Sequence, residues 1–259
     1  MKSPRPLRGK AALPSELLDK REARIRRMFG EIAPWYDFLN HLLSLNVDRH
    51  WREKTTRLVP PLPDDGPVLD LCTGTGDLAM TYDRVARGAL PVVAADFCHE
   101  MLVRAIEKAR AAGVGDRVKF VEADAQALPF PGDTFQIVTV AFGLRNITDT
   151  DAGLAEMVRV AKPRGRIAIL EFSRPRHWLF GRLYHWYFRY VLPLIGQILC
   201  RNKHSAYRYL PESVLRFPDN EELAAKLRDH GLIEVQFVPL TFGIATLYVG
   251  VKPASSNGA

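Results

Sequence analysis

Val68-Leu-Asp-Leu-Cys-Thr-Gly-Thr-Gly-Asp-Leu-Ala-Met80 decides the fold of this chain. An apolar run carries one acid, Asp70, then breaks into a loop with Gly74 and Gly76, and a helical pattern begins at once. Glycine allows a tight turn and close backbone approach to a ligand. The unpaired amides at the start of the helix face that ligand. A second strand-like run, Pro91-Val-Val-Ala-Ala-Asp96, ends in an acid at the spacing of a ribose-binding carboxylate. One segment thus supplies a nucleotide-shaped crevice.

Gly74-Thr-Gly76-Asp-Leu-Ala79 formally fits G-x-G-x-x-A, the dinucleotide fingerprint. A pyrophosphate-binding loop has no use for carboxylates, yet Asp70, Asp77 and Asp96 belong to this one. Their charge suits S-adenosylmethionine, which carries a sulfonium, an amino group and a ribose diol but no phosphate. The plain alternative is a glycine-containing turn with no ligand, and the spacing of Asp96 argues against it.

Strands at Pro67–Cys72, Pro91–Asp96, Arg117–Glu122, Thr134–Phe142 and Arg166–Phe172 alternate with helical patterns at Asp77–Arg87, His99–Ala112 and Asp151–Ala161. Such alternation predicts parallel strands joined by right-handed crossovers. A helix over Asn220–His230 precedes Ile233–Pro239 and Thr241–Val251, and the short connection at Leu240 predicts a hairpin. The expected class is α/β: a doubly wound, mostly parallel, seven-stranded sheet with a final antiparallel strand. Residues 1–60 read as a tail and helical cap, with one helix over Ser15–Phe29, capped by Ser15, and a helical region over Pro34–Arg57. Residues 61–253 read as the main domain, with a helical insertion over 174–215, and 254–259 read as a tail.

Within the insertion, Trp178–Tyr209 is rich in Trp, Tyr and Phe, and its charges are cationic. It reads either as a helical insertion packed on the core or as a lid for a greasy substrate. Arg182, His185 and Arg189 interrupt its apolar stretch, which makes it a poor transmembrane span but suits a membrane surface. The chain of 259 residues carries a net charge of +7, much of it in Lys2–Lys54 and Arg174–Arg208, and such patches can meet nucleic acid, anionic lipid or nothing at all. The three cysteines, Cys72, Cys98 and Cys200, lack zinc-type or disulfide-framework spacing, so no metal is expected and a reducing compartment fits. No apolar signal-peptide core follows the basic first ten residues.

Further segments carry a family resemblance. They are Pro34-Trp-Tyr-Asp-Phe-Leu-Asn40 with Asp48-Arg-His-Trp51, Glu122-Ala-Asp-Ala-Gln-Ala-Leu-Pro-Phe130, Ala141-Phe-Gly-Leu-Arg-Asn146, Leu170-Glu-Phe-Ser173, and Tyr207-Arg-Tyr-Leu-Pro-Glu-Ser213 with Phe217-Pro218. Together, from about Arg27 to Val251, they resemble the ubiquinone/menaquinone biosynthesis C-methyltransferases, a group with the class I S-adenosylmethionine-dependent methyltransferase fold. The resemblance implies methylation of a ring carbon on a polyprenylated benzoquinol or naphthoquinol, with demethylmenaquinol favoured. It implies a cofactor site lined by Thr75, Asp96, Asp124, Ala125 and Ala141, extended by Asp70, Thr73, Gly74, Gly76, Phe97 and Met101. Many relatives have Ser in place of Ala141 and Gly in place of Thr73. Asp96 can accept both ribose hydroxyls, and Asp124 can accept from the adenine amino group. The substrate set is Tyr36, Phe142, Arg145 and Tyr209. The enzyme is expected in the cytoplasm, peripheral to the inner face of an anionic membrane, with homodimer formation left open.

A neutral aromatic carbon is a poor nucleophile. Loss of a quinol hydroxyl proton gives a phenolate with carbanion character ortho to the oxygen. Arg145 is assigned to stabilise that phenolate, since a group with a pKa above 12 is a poor base. Asn146 and Tyr36 are assigned to hold a water that relays the proton. The bland alternatives are that Asn146 caps the next helix and Arg145 pairs with Asp149. Asp37, His50 and Glu171 are reserve bases, with His50 also readable as structural beside Trp51. Two other function classes compete. A base-methylating enzyme commonly carries Asn/Asp-Pro-Pro-aromatic after the fourth strand, which is missing here, so nucleic acid is not an expected partner. A non-catalytic or NAD-type protein usually opens on its glycine loop, whereas here a long helical segment precedes it.

Overall fold

The computed structural model describes residues 22–44, 46–175 and 206–254. The expected Ser15 cap, the N-terminal tail, residues 255–259 of the C-terminal tail and the Trp178–Cys200 stretch lie outside the described residues.

Five parallel strands form the sheet's first part: β1 (Val68–Leu71), β2 (Val92–Asp96), β3 (Val118–Glu122), β4 (Phe135–Ala141) and β5 (Ala161–Phe172). The hairpin β6 (Ile233–Leu240) and β7 (Ala245–Val251) completes it, in the order β3-β2-β1-β4-β5-β7-β6. β7 runs antiparallel to both β5 and β6, so the antiparallel strand is an interior one. β5 starts at Ala161, five residues before the expected Arg166. Ala161 pairs with Phe135, then the register shifts and regular pairing resumes at Ile137 with Arg166. Arg164, with φ +62°, lies in that irregular stretch.

Helices cover both faces. Leu69, Leu71, Val138, Val140, Ile167 and Ile169 pack on one side with Leu154 and Met157 of α6 (Thr150–Val160) and Leu223 and Leu227 of α8 (Glu221–Asp229). Val68, Ile137, Ala168 and Leu170 pack on the other with Trp51 of α3 (Val47–Leu58) and Leu78 and Tyr82 of α4 (Asp77–Ala86). Helices on both faces bury β1 and β4 along nearly their whole length, so neither alternates between apolar and polar residues. The remaining described helices are α1 (Glu22–Ile32), α2 (Tyr36–Leu43), α5 (His99–Ala111) and α7 (Ala206–Arg216).

α1 runs three residues beyond the expected Phe29, because Ile25, Met28 and Ile32 share one face and bury it against Cys98 and Met101. The Pro34–Arg57 region is not one helix. Pro34 sits in a 3-10 turn over Ala33–Trp35, and Asn46, with φ +62°, separates α2 from α3. Asparagine tolerates that left-handed conformation better than most residues. The break lets α3 swing over the sheet edge, where the Trp51 indole N–H donates to Thr241 Oγ1 at 2.8 Å.

Candidate active site

β1 ends in Leu71, and the chain turns sharply through Cys72 (φ +48°) and Gly74 (φ +57°) to the left-handed Gly76 at the head of α4. Asp70 holds this loop from behind. Its Oδ2 accepts Thr73 Oγ1 at 2.6 Å and the Ala79 amide at 3.2 Å, while Oδ1 is buried with no partner. Asp96, at the end of β2, accepts the amides of Gly74 at 2.8 Å and Cys98 at 2.9 Å. These bonds join the two strand ends into one rigid rim. The rim lies at the carboxyl edge between β2, β1 and β4, where open α/β sheets bind ligands.

A cleft with about 730 Å³ of empty space opens there. Of the expected cofactor residues, Gly74, Asp96, Phe97, Met101, Asp124, Ala125 and Ala141 line it. Asp70, Thr73, Thr75 and Gly76 are not in its lining. Asp70 and Thr73 brace the loop, and Gly76 packs where a Cβ would meet Phe120 and Ala105 at 3.3–3.4 Å. Thr75 faces the cap: its hydroxyl donates to Asp37 Oδ1 at 2.5 Å and accepts from Lys108 Nζ at 3.3 Å. Asp124 accepts the Gln126 amide at 2.9 Å and its side-chain nitrogen at 3.0 Å, which fixes that carboxylate at the cleft.

Two assignments of charge change in three dimensions. Asp77 does not add negative charge to the cleft, because it pairs with Lys108 at 2.7 Å and Arg52 at 3.8 Å, and these cations hold its carboxyl low against its burial. Asp37 binds Lys108 at 2.6 Å as well as Thr75, so this reserve base ties the cap to the glycine loop. The cations that reach the loop are thereby engaged: Lys108 by two aspartates, and Arg52 by Asp48 and Asp77. Among the described residues that line the cleft there are carboxylates, neutral polar groups and apolar side chains but no Lys, Arg or His. That donor set fits a cationic, phosphate-free nucleoside and not a pyrophosphate.

Burial drives the Asp70 carboxyl up to about 7, and the Asp96 carboxyl up to about 6 despite the backbone bonds that oppose the rise. A raised acid binds its proton more tightly in the folded state than in the unfolded state, where its pKa is near 3.8. Its stabilisation is therefore complete below about pH 4 and is lost as pH rises through about 7. For Asp70 the change corresponds to about 4 kcal/mol. The ligand-free protein should melt at a lower temperature at pH 7.5 than at pH 5.5, and Asp70→Asn should flatten that slope. Calorimetric melting with an equal slope in both proteins refutes the assignment.

The expected catalytic residues separate into two groups. Tyr36 and Asn146 line the cleft together with Phe142 and Gly143. Arg145 lies behind them and lines a neighbouring groove with Ser213 and Phe217, the two spaces sharing Thr148. Its guanidinium is buried, and Nη1 donates to Glu171 Oε1 at 2.6 Å and to the Phe142 carbonyl at 2.5 Å. Arg145 thus pairs with Glu171, not Asp149. Asp149 instead caps α6, accepting the amides of Asp151 and Ala152 at 3.0 Å, so Asn146 is not that cap. Asn146 Oδ1 accepts the Tyr209 hydroxyl at 3.0 Å, which ties α7 to the site, and burial pushes that phenol up. His50 is exposed on α3, away from any such role.

Sequence reasoning missed the cap wall. Ile25 and Phe29 of α1 line the cleft beside Tyr36. Their helical spacing is visible in sequence, but the surface they cover is not. It also missed Cys72, whose left-handed backbone carries it into the cleft.

The ubiE/COQ5 methyltransferase family matches residues 17–252. The ubiquinone/menaquinone biosynthesis C-methyltransferase UbiE of Geobacter sulfurreducens is 45% identical over 235 residues, covering 91% of each chain. The demethylmenaquinone methyltransferase of Thermus thermophilus is 47% identical over 228 residues, 87% of this chain and 100% of that one. Among solved structures, a SAM-dependent methyltransferase of Thermotoga maritima, described as a possible histamine N-methyltransferase, superposes with a TM-score of 0.63 at 16% identity. The match covers 88% of this chain and 99% of that one, a likeness of fold.

Proposed function

Because this chain belongs to the ubiE/COQ5 methyltransferase family, we propose that it methylates a ring carbon of a polyprenyl quinol, with demethylmenaquinol favoured and S-adenosylmethionine as donor. The observation that carries this reading is a single cleft that joins Gly74, Asp96 and Asp124 to Tyr36, Phe142 and Asn146. The first group suits the nucleoside, and the second suits a quinol ring beside it. Bound S-adenosylmethionine supplies an electrophilic methyl group. Asp96 takes the ribose hydroxyls, and the backbone at Gly74 lets the amino-acid end approach. Asn146 and Tyr36 hold the water that receives the quinol proton. Arg145 stabilises the phenolate from behind Phe142 and Asn146. Alignment of the two reactants in one site is worth roughly 7–11 kcal/mol.

An anaerobic assay with methyl-labelled S-adenosylmethionine tests the reading. Label should enter reduced demethylmenaquinone faster than reduced demethylated ubiquinone precursors. Asp96→Ala should weaken cofactor binding about 10- to 100-fold, the loss of two hydrogen bonds to a charged group. Label in neither quinol, or unchanged cofactor affinity in the variant, overturns the reading.

A polyprenyl quinol resides in the bilayer, so we propose that the enzyme collects it at an anionic membrane surface of the cytoplasmic face. The excess positive charge supports this, as do two exposed aromatics, Phe38 on α2 (53% exposed) and Phe242 in the β6–β7 turn (67% exposed). The Trp178–Cys200 stretch enters by composition alone. Among the described residues no helix is long and apolar enough to cross a membrane. Each basic residue near an anionic leaflet adds about 1 kcal/mol. In liposome flotation, binding should need anionic lipid, fall with salt and weaken when Trp178, Trp186 and Phe188 become Ala. A folded protein that floats with neither anionic nor neutral vesicles rules this route out.

A further inference from the structure

We infer that Glu171 is a positioning residue of methyl transfer: its carboxylate fixes Arg145 by both backbone and side chain, and sets how strongly the Arg145 charge acts on the substrate oxygen. The inference rests on the reading of Arg145 as the phenolate stabiliser.

Glu171 is the penultimate residue of β5 and is 1% exposed. A carboxylate survives at such a place only when its lone pairs are used. Oε1 accepts Arg145 Nη1 at 2.6 Å and the Phe172 amide at 2.9 Å, and Oε2 accepts the Arg145 amide at 3.3 Å. One side chain thus holds both ends of Arg145. The Phe142 carbonyl takes a second bond from the same nitrogen, and the guanidinium carbon lies 5.3 Å from the centre of the Phe172 ring. The guanidinium is pinned between the ends of β4 and β5, beside the residues that line the cleft.

Two observations separate this pair from a scaffold salt bridge. First, Arg145 Nε is buried without a partner. Interiors rarely leave a donor orphaned, and such groups call for an explanation. Second, Arg145 Nη1 also bonds the carbonyl of the cleft-lining Phe142, whereas the bidentate pairs Arg117 with Asp83 and Arg174 with Asp219 have half-exposed arginines and no residue in the cleft lining. A fully buried pair contributes little net stability compared with apolar side chains of the same size, so packing does not account for it. The titratable neighbours that feel Glu171 are Cys72 at the end of β1, Tyr209 on α7 and Tyr248 on β7, and each is held in its neutral form. Among these groups Arg145 is the countercharge. With Glu171 ionised, the pair is neutral before reaction. The guanidinium then responds to a negative oxygen only as charge develops on it, and its direction is already set.

The test uses the full chain and quinol substrate under anaerobic conditions. Glu171→Gln should lower kcat about 10- to 100-fold, as for a displaced catalytic group, with cofactor affinity unchanged. Its acid limb of kcat should move to lower pH by about one unit, because an uncompensated cation favours the ionised quinol. Glu171→Asp keeps the charge but is one methylene too short to reach both ends of Arg145. It should lose plateau kcat without moving the limb. A scaffold role predicts uniform scaling of the profile in both variants, and that result overturns the proposal, as does wild-type kcat in folded Glu171→Gln. If Glu171→Gln does not fold, wild-type plateau kcat in Glu171→Asp overturns the proposal, and an Arg145→Met, Glu171→Met double variant provides a second check. That double variant should fold and bind cofactor but lose turnover, and retained turnover overturns the proposal. Arg145→Lys separates the two levels: wild-type turnover there defeats the reading of Arg145 itself. Impaired Arg145→Lys beside normal Glu171→Gln and Glu171→Asp defeats only the role of Glu171.

Discussion

Turnover of Arg145→Ala is expected to fall by about two to three orders of magnitude, the usual loss when one preorganised donor to a developing oxyanion is removed. Cofactor affinity should hold, since Arg145 is outside the lining of the cofactor cleft. The alanine variant also strands Glu171 as a buried, unpaired carboxylate, which costs about 3–5 kcal/mol of stability. Arg145→Lys is the necessary companion. It keeps a cation beside Glu171 but loses the planar guanidinium that lies over the Phe172 ring while one nitrogen bonds both Glu171 and the Phe142 carbonyl. Folded Arg145→Lys should bind S-adenosylmethionine normally and turn over slowly. Single-turnover rates equal to wild type in that protein remove Arg145 from the chemistry.

Gly143→Ala should be among the most damaging conservative changes in the chain. A Cβ at Gly143 would lie 2.4 Å from the Cys72 Cβ, and 3.2 Å from both Cys72 Sγ and Val140 Cγ2. Neither side can retreat easily. Cys72 is held at φ +48° and the preceding Phe142 at φ +59°, so both strand ends are already in strained backbone. Overpacking of this kind costs about 1–3 kcal/mol, and each kcal/mol lowers Tm by roughly 2–4 °C in a domain near this size. The displaced loop carries Arg145 and Asn146, so turnover should fall further than stability. Cys72→Gly removes the opposing Cβ and suits a positive φ. The double variant should recover part of the lost Tm. An unchanged melting curve for Gly143→Ala shows that the two loops have room to separate.

The sequence by itself determined the repeating strand-and-helix pattern, the glycine turn after β1, the acid at the end of β2 and the motifs that place the chain in its family. These features are legible because they depend on neighbours. Alternation, periodicity and turn chemistry act over a few residues, and the Gly76-to-Asp96 spacing spans one βαβ unit. The tertiary structure decided which partners the polar residues chose. Thr75 is 38 residues from Asp37 and Arg145 is 26 from Glu171, and nothing local favours those pairs over Arg145 with Asp149. Their choice follows from burial, since a charge carried inside must take the nearest opposite charge that the packed elements present. Asp77 left the ligand for the same reason: Lys108 and Arg52 reach it once α5 and α3 are packed around α4. The hairpin of β6 and β7 was readable from its turn, but the insertion of β7 beside β5 was not. That pairing joins Arg166–Phe172 to residues about 80 positions away, and only the assembled sheet, with its unpaired β5 edge, specifies it.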